Sequence, residues 1–207
     1  MTKLHLLEKS RPQQARAIQT YERILLAAAT LLERLGVDAI STNNIAEHAG
    51  ITVPALYRYF PNKYAVLYAL GARLMDQQNQ VFREWSDAHS HSQVAMMEHV
   101  LELLQETYRV TAKFKGSVVL MRALRALPVM QDVLLESHQA MSQWALANWP
   151  LAQNPDNLRR LRLTLQMATS AIEMALEDAD MPAEFALAEA CQMIQGYWRI
   201  HLTPPQC

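Results

Sequence analysis

The chain has 207 residues and a formal net charge of −1 at pH 7, with 51% hydrophobic and 19% charged residues. That is ample apolar material for one compact unit or two small ones, and too little charge for a protein coated with cations along its whole length. Five glycines among many Leu, Ala, Met and Gln predict an all-α chain, while no run approaches the roughly 18 to 20 apolar residues of a membrane span and Met1 to Gln14 has no apolar h-region, so a cytoplasmic place is expected. In chain order, residues 1–14 read as a flexible polar arm, whose Lys9 and Arg11, with Arg16 just beyond, either touch phosphates or a minor groove or are simply solvated. From Ala15 to Leu35, Tyr21, Ile24, Leu25, Ala28, Leu31, Leu32 and Leu35 recur at helical spacing, and Gly36 caps the end.

Residues 41–60 read as a helix-turn-helix. Ile45, Ala46 and Ala49 share one face of a short helix, Gly50 sits at the reversal, and Leu56 and Phe60 form the apolar face of a second helix. Ser41 or Thr42 can cap the first helix and Thr52 the second, while Pro54 falls in a first turn where its missing N–H costs nothing. Phe60 precedes Pro61, which stops the helix. Thr52, Val53, Tyr57 and Tyr59 are not required for this small core, and their hydroxyls, methyls and ring edges suit a major groove. Asn62 is the expected cap of the next helix, which places Lys63 among free N–H groups as a phosphate contact. Residues 1–63 carry eight cations (Lys3, Lys9, Arg11, Arg16, Arg23, Arg34, Arg58, Lys63) against five carboxylates, so this end is at +3 and residues 64–207 at −4. That asymmetry orients the basic end toward phosphate.

Gly36-Val37-Asp38-Ala39-Ile40-Ser41-Thr42, Ile45-Ala46, Ala49-Gly50-Ile51-Thr52, Leu56-Tyr57, Tyr59-Phe60 and Asn62-Lys63 resemble the N-terminal DNA-binding domain of the TetR (tetracycline-repressor) family. The resemblance covers the first third of the chain; the remainder is similar only in length and helical layout. It implies a three-helix bundle carrying the motif (residues 15–62), followed by a helical effector-binding and dimerisation domain (residues 63–203), about nine helices in all. Residue types matching the family's DNA contacts stand at Thr42, Thr52, Val53, Tyr57, Tyr59 and Lys63. Departures occur at Pro54, where the family often has a smaller residue, and at Arg58, a variable position; both stay in the candidate DNA surface. The implied partner is double-stranded operator DNA, and the implied signal a small hydrophobic or amphipathic effector whose binding releases it.

A helix follows from Lys63 to about Asp87, unbroken and therefore able to act as a lever. Ala88 to Ser92 is a polar break, and its His89 and His91 read as solvated because no Cys, Asp or Glu stands at ligand spacing. Helices are then predicted over Val94–Ala112, Gly116–Leu127, Val129–Trp149, Pro155–Ala179 and Pro182–Ile200, the last holding Cys191; with Cys207 it makes neither a disulfide framework nor a metal spacing. In the last two helices Leu158, Leu161, Leu165, Ala168, Ile172 and Ala175, and then Leu187, Ala190, Ile194 and Tyr197, step by threes and fours. Such seams either bury against the chain's own core or build a four-helix bundle about a twofold axis, and the second makes Leu165, Ala168, Ile172, Ala175, Leu187, Ala190, Ile194 and Tyr197 a homodimer interface. An effector cavity is expected from Leu101, Leu104, Tyr108, Met121, Met141, Trp144 and Met167, with Arg122, His138, Gln166 and Ser170 as polar groups. No glycine-rich phosphate loop, Gly-x-Ser-x-Gly, His-Glu-x-x-His or Cys-x-x-Cys occurs, so neither catalysis nor a metal or other cofactor is expected. Glu173, Glu177, Asp178 and Asp180 read as an exposed acidic helix end. The function that follows is a homodimeric DNA-binding repressor released by an effector. The alternative is the same head controlled by a protein partner or by no ligand, and an enzyme is the remote third reading.

Overall fold

The computed structural model describes residues 12–151 and 154–202. Most of the expected arm, with Lys9 and Arg11, and Cys207 lie outside the described residues. Among those residues there are ten α-helices and no strand: α1 Ala15–Ala39, α2 Thr42–His48, α3 Val53–Tyr57, α4 Lys63–His89, α5 Gln93–Glu98, α6 Val100–Lys113, α7 Ser117–Ala126, α8 Gln131–Asn148, α9 Asn157–Glu177 and α10 Ala183–Leu202. None is long and apolar enough to cross a membrane.

The helix count exceeds the expected nine because the segment read as one helix over Val94–Ala112 is broken at His99, whose φ and ψ are −105° and 10°. The His99 ring donates from Nδ1 to the Ala95 carbonyl at 2.8 Å, and its own carbonyl accepts the Trp85 indole N–H at 2.9 Å. Each of these carbonyls also accepts a backbone N–H, from His99 at 3.2 Å and from Leu103 at 3.3 Å, so the side chains share the acceptors of the helical ladder at the break. Gly36 interrupts α1 where the sequence places its end, but helical turns resume as far as Ala39. The second motif helix stops at Tyr57, short of the expected Phe60, because the N–H groups of Tyr59 and Phe60 both fold back on the Leu56 carbonyl before Pro61.

The chain divides into two compact units, one of residues 1–75 and 113–134, the other of residues 76–112 and 135–207. In the first, Ile24, Leu25, Leu32, Ile45, Leu56 and Phe60 share a core with Val66, Leu67, Leu70 and Leu74 of α4 and with Leu120, Met121 and Leu124 of α7. The expected three-helix bundle is thus completed by the first half of α4 and by α7, and this division differs from one drawn at residue 62. Gly116 brings α7 close to α1: a Cβ there would lie 2.9 Å from the Ala29 carbonyl oxygen, and its φ of 75° already disfavours a side chain. The second unit packs Phe82, Trp85, Met96, Val100, Leu104, Met141, Leu161, Ile172, Leu187, Ile194 and Trp198 from α4, α5, α6, α8, α9 and α10.

Candidate functional site

The turn between α2 and α3 is built by side chains that satisfy helix ends. Ser41 and Asn44 form a reciprocal capping box at the start of α2, with the Asn44 N–H donating to Ser41 Oγ at 3.2 Å and the Ser41 N–H to Asn44 Oδ1 at 2.8 Å. The choice between Ser41 and Thr42 as cap is thereby settled for Ser41, and the Thr42 hydroxyl instead pairs with the Tyr57 hydroxyl at 3.1 Å. Thr52 Oγ1 accepts the Ala55 N–H at 3.3 Å and starts α3. Arg23 of α1 donates to the Ala49 and Gly50 carbonyls and ties down the reversal. Gly50 has φ 62°, and a Cβ on it would meet Arg23 Nη2 at 2.8 Å. The sequence reading missed this use of Arg23, which a count of charges treats as a solvated cation.

On this frame Thr52, Pro54, Tyr57 and Arg58 are exposed, Tyr57 by 41% despite its size, and Thr42 is half-buried beside them. Val53 and Tyr59 depart from expectation. Both are half-buried and pack on the first core, where the Tyr59 ring meets Tyr21 edge-on at 6.3 Å while Phe60 stacks on Tyr21 at 5.3 Å. Their apolar bodies support α3, so only part of each is presented outward. Asn62 caps α4 as expected, its Oδ1 accepting the Ala65 N–H at 2.9 Å. The Lys63 amine is not a free cation: it donates to the Val37 and Asp38 carbonyls at 2.9 and 3.3 Å and lies 5.4 Å from the Tyr64 ring centroid. It therefore caps the last turn of α1.

Two small cavities lie in the second unit. The first, of about 60 Å³, is walled by Phe82, Trp85, Met96, Met97, Val100, Leu104, Ala145, Trp149, Leu161, Leu165, Ala168, Ile194 and Trp198. Its indole N–H groups are all engaged, Trp85 with the His99 carbonyl, Trp149 with Ser86 Oγ at 2.7 Å and Trp198 with Thr164 Oγ1 at 2.9 Å. Only the Ser142 hydroxyl, buried in the same wall, has no hydrogen-bond partner among the described residues. The second cavity, of about 70 Å³, is more polar, with Gln78, Asn79, Thr107, Ser137, His138 and Thr169 beside Leu104, Met141 and Ile172. His138 Nε2 lies 3.1 Å from Thr169 Oγ1, and burial, reinforced by Arg162, holds its pKa down to about 4. That ring is neutral at physiological pH. Phe82, Leu103, Leu104, Leu165 and Ala168 border both cavities and form the partition between them.

The candidates for effector and interface are spread over several faces of the second unit. Ile172 and Leu187 are buried in the unit's own core, Ala190 and Ile194 are buried and also border an open groove between α9 and α10, and Leu165 and Ala168 line the cavities; Ala175 and Tyr197 are half-buried. Gln166, Met167 and Ser170, read as cavity residues, instead line this open groove of about 470 Å³, with Met174, Phe185 and Met193. The reason is that both helices are apolar on two stripes, and periodicity cannot tell the inward from the outward one. Leu104, His138 and Met141 do line a cavity, whereas Leu101, Tyr108 and Trp144 pack behind it. Met121 belongs to the first unit's core and Arg122 is exposed on α7. Two further readings change. Glu173 is buried, so the acidic helix end begins only after it, and His89 is the last residue of α4, stacked 4.0 Å from the His99 ring with Glu102 at 3.6 Å. Cys191 is buried in α10, which pushes its thiol pKa up.

Comparison with known proteins agrees with the geometry of the first unit. Residues 24–70 match the family model described as "Bacterial regulatory proteins, tetR family". The tetracycline repressor protein class A from transposon 1721 of Escherichia coli is 39% identical over 69 residues, which is 33% of this chain; the match spans 27% of that repressor's length. Among solved structures, a tetR-family transcriptional regulator from Streptomyces coelicolor aligns with a TM-score of 0.68 at 18% identity over 88% of this chain and 82% of the other. SmeT of Stenotrophomonas maltophilia, in its complex with triclosan, aligns with a TM-score of 0.59 at 16% identity over 86% of this chain and 90% of the other. These two share the fold.

Proposed function

From a chain whose residues 24–70 match the TetR family of bacterial regulatory proteins, we propose a homodimeric repressor that reads operator DNA with α3 and is released by a small, mainly apolar effector. The observation that carries the DNA half is the exposed run Thr52, Pro54, Tyr57 and Arg58 beside Thr42, held by the Ser41 box and the Arg23 clamp. Its hydroxyls donate and accept in two directions, and the Tyr57 ring supplies apolar area for a thymine methyl. Tyr59 assists from the rim.

The second copy covers the outer stripe of α9 and α10. Met167, Met174, Phe185, Met193 and Ile200 are exposed there, Met193 by 56%, more apolar surface than a lone chain normally leaves open to water. A twofold axis through this face presents two α3 helices to half-sites about 34 to 36 Å apart or a multiple of that. The effector enters the second unit by displacing the partition of Phe82, Leu104 and Leu165, so that the two cavities join. Its apolar body meets the tryptophans, and a single polar group meets Ser142 or the neutral His138. The complex of SmeT with triclosan supports a ligand of this general kind. α4, one unbroken helix that belongs to both units, is the covalent path from cavity to head.

The small volumes of about 60 and 70 Å³ favour a second reading, in which the same head acts with no small ligand. Selection of genomic fragments by the purified protein, followed by footprinting and sedimentation, separates the readings. A protected, twofold-related site bound by a dimer and lost on adding a hydrophobic compound is the expected result. Protection that no compound from a broad apolar panel weakens would favour the second reading, and no protection at low salt by folded protein would remove both.

A further inference from the structure

We propose that His89, His99 and Glu102 form a binding site for a borderline first-row divalent metal ion of the Co²⁺, Ni²⁺, Cu²⁺ and Zn²⁺ class. The three come from separate places that the fold brings together: the last residue of α4, the break between α5 and α6, and the first turn of α6. Their donor atoms all lie within 4.8 Å of one another, with His89 Nε2 3.6 Å from a Glu102 carboxylate oxygen. The orientation of His99 is the more telling feature. Its Nδ1–H is committed to the Ala95 carbonyl at 2.8 Å, which fixes the tautomer and leaves the Nε2 lone pair for a ligand bond. Metal-binding imidazoles are held in this way by the partner of their other nitrogen. The His89 and His99 rings are stacked 13° from parallel, so a turn of the His89 ring about its soft χ2 bond, with His99 held by Ala95, is the movement that would aim both lone pairs at one ion at nitrogen–metal distances of about 2.0 to 2.1 Å.

Two imidazoles and one carboxylate form a set that leaves a tetrahedral ion one position for water. Nitrogen donors suit the borderline ions, whereas Mg²⁺ and Ca²⁺ demand oxygen, so these two act as controls. Entry is open on one side: the Glu102 side chain is 58% exposed and that of His89 17%. The site also carries its own reporter. The Trp85 ring lies 5.7 Å from His89, its N–H is bonded to the His99 carbonyl, and the same ring walls the aromatic cavity. An ion here therefore pins the end of α4 to the α5–α6 break, against a wall of that cavity.

The test is titration of the untagged full-length protein with Co²⁺, followed by absorption, and with Ni²⁺, followed by tryptophan emission, each with a Mg²⁺ control. One equivalent of Co²⁺ per chain is expected, with d–d bands and no sulfur-to-cobalt charge transfer, and with Ni²⁺ quenching that Trp85→Phe largely removes. His89→Gln and Glu102→Ala should each weaken binding at least about tenfold; Glu102 is exposed enough that its variant should keep the far-UV circular dichroism and melting midpoint of the parent. Unchanged affinity in a folded Glu102→Ala variant would overturn the proposal. So would a thiolate band, quenching that survives Trp85→Phe, or binding that never saturates, the result expected if Glu102 merely pairs with a protonated His89.

Discussion

The two compact units keep their polar side chains in opposite places. Of the buried polar residues among those described, Ser117 alone belongs to the first unit, while Ser86, Thr111, His138, Ser142, Asn157, Thr169 and Glu173 belong to the second. The first unit is apolar inside and sets its hydroxyls and amides at helix ends and on the α3 surface, as a scaffold that presents an outer face requires. The second carries polar atoms into its interior at a cost of desolvation, and three of them, Ser142, His138 and Thr169, border cavities. The difference teaches where to look for binding: on the surface of one unit and inside the other.

The harshest test of the contrast is Leu56→Ala, which deletes a fully buried side chain under α3 and should cost about 2 to 5 kcal/mol of stability in urea unfolding. Next comes pH. Because His138 in the fold titrates at about 4 against an ordinary 6.5, the unfolded chain binds a proton that the native one refuses, so stability should fall as pH drops from 6.5 to 4. The loss attributable to this group is roughly 3 kcal/mol and is absent above that window. His138→Gln, which can keep a bond to Thr169, should flatten that part of a stability-versus-pH curve; an unchanged slope would place the titration elsewhere.

Smaller effects probe each unit's binding side. Tyr57→Ala, one residue from Leu56, should weaken operator binding by about 1 to 3 kcal/mol in footprinting titrations while changing stability by no more than about 0.5 kcal/mol. If it unfolds the head as Leu56→Ala does, the inside and outside of α3 have been exchanged. Ser142→Ala should be the mildest, neutral or stabilising by up to about 1 kcal/mol in thermal unfolding, since it removes a buried hydroxyl without a partner. A clear loss of stability would mean the hydroxyl is satisfied in solution, and the reading of the cavity wall would need revision.

Much of the first unit was legible because its signals are short. Ser41, Gly50, Thr52 and Asn62 each act on groups within about a turn, so the corner, its caps and the start of α4 could be read from neighbouring letters. The same reading did not foresee the partners of Lys63, Val53 and Tyr59 inside the fold, because Val37 and Tyr21 are brought to them by tertiary packing. In the second unit the helices were foreseen but not their rotation. Met167 and Ser170 face the open groove, and Leu165 and Ala168 face the cavities, although all four lie within two turns of one helix.

By itself, the sequence determined that this chain is helical, that residues 41–60 make a helix-turn-helix, and which family that motif resembles, because helix periodicity, caps and reversals are contests between near neighbours. Only the tertiary structure decided which apolar stripe of α9 and α10 turns inward, where the cavities lie, and that His89 and Glu102 meet across the break at His99. Those outcomes depend on which distant surfaces fit together, and a helix with two apolar faces carries no local mark of which one its neighbours will cover.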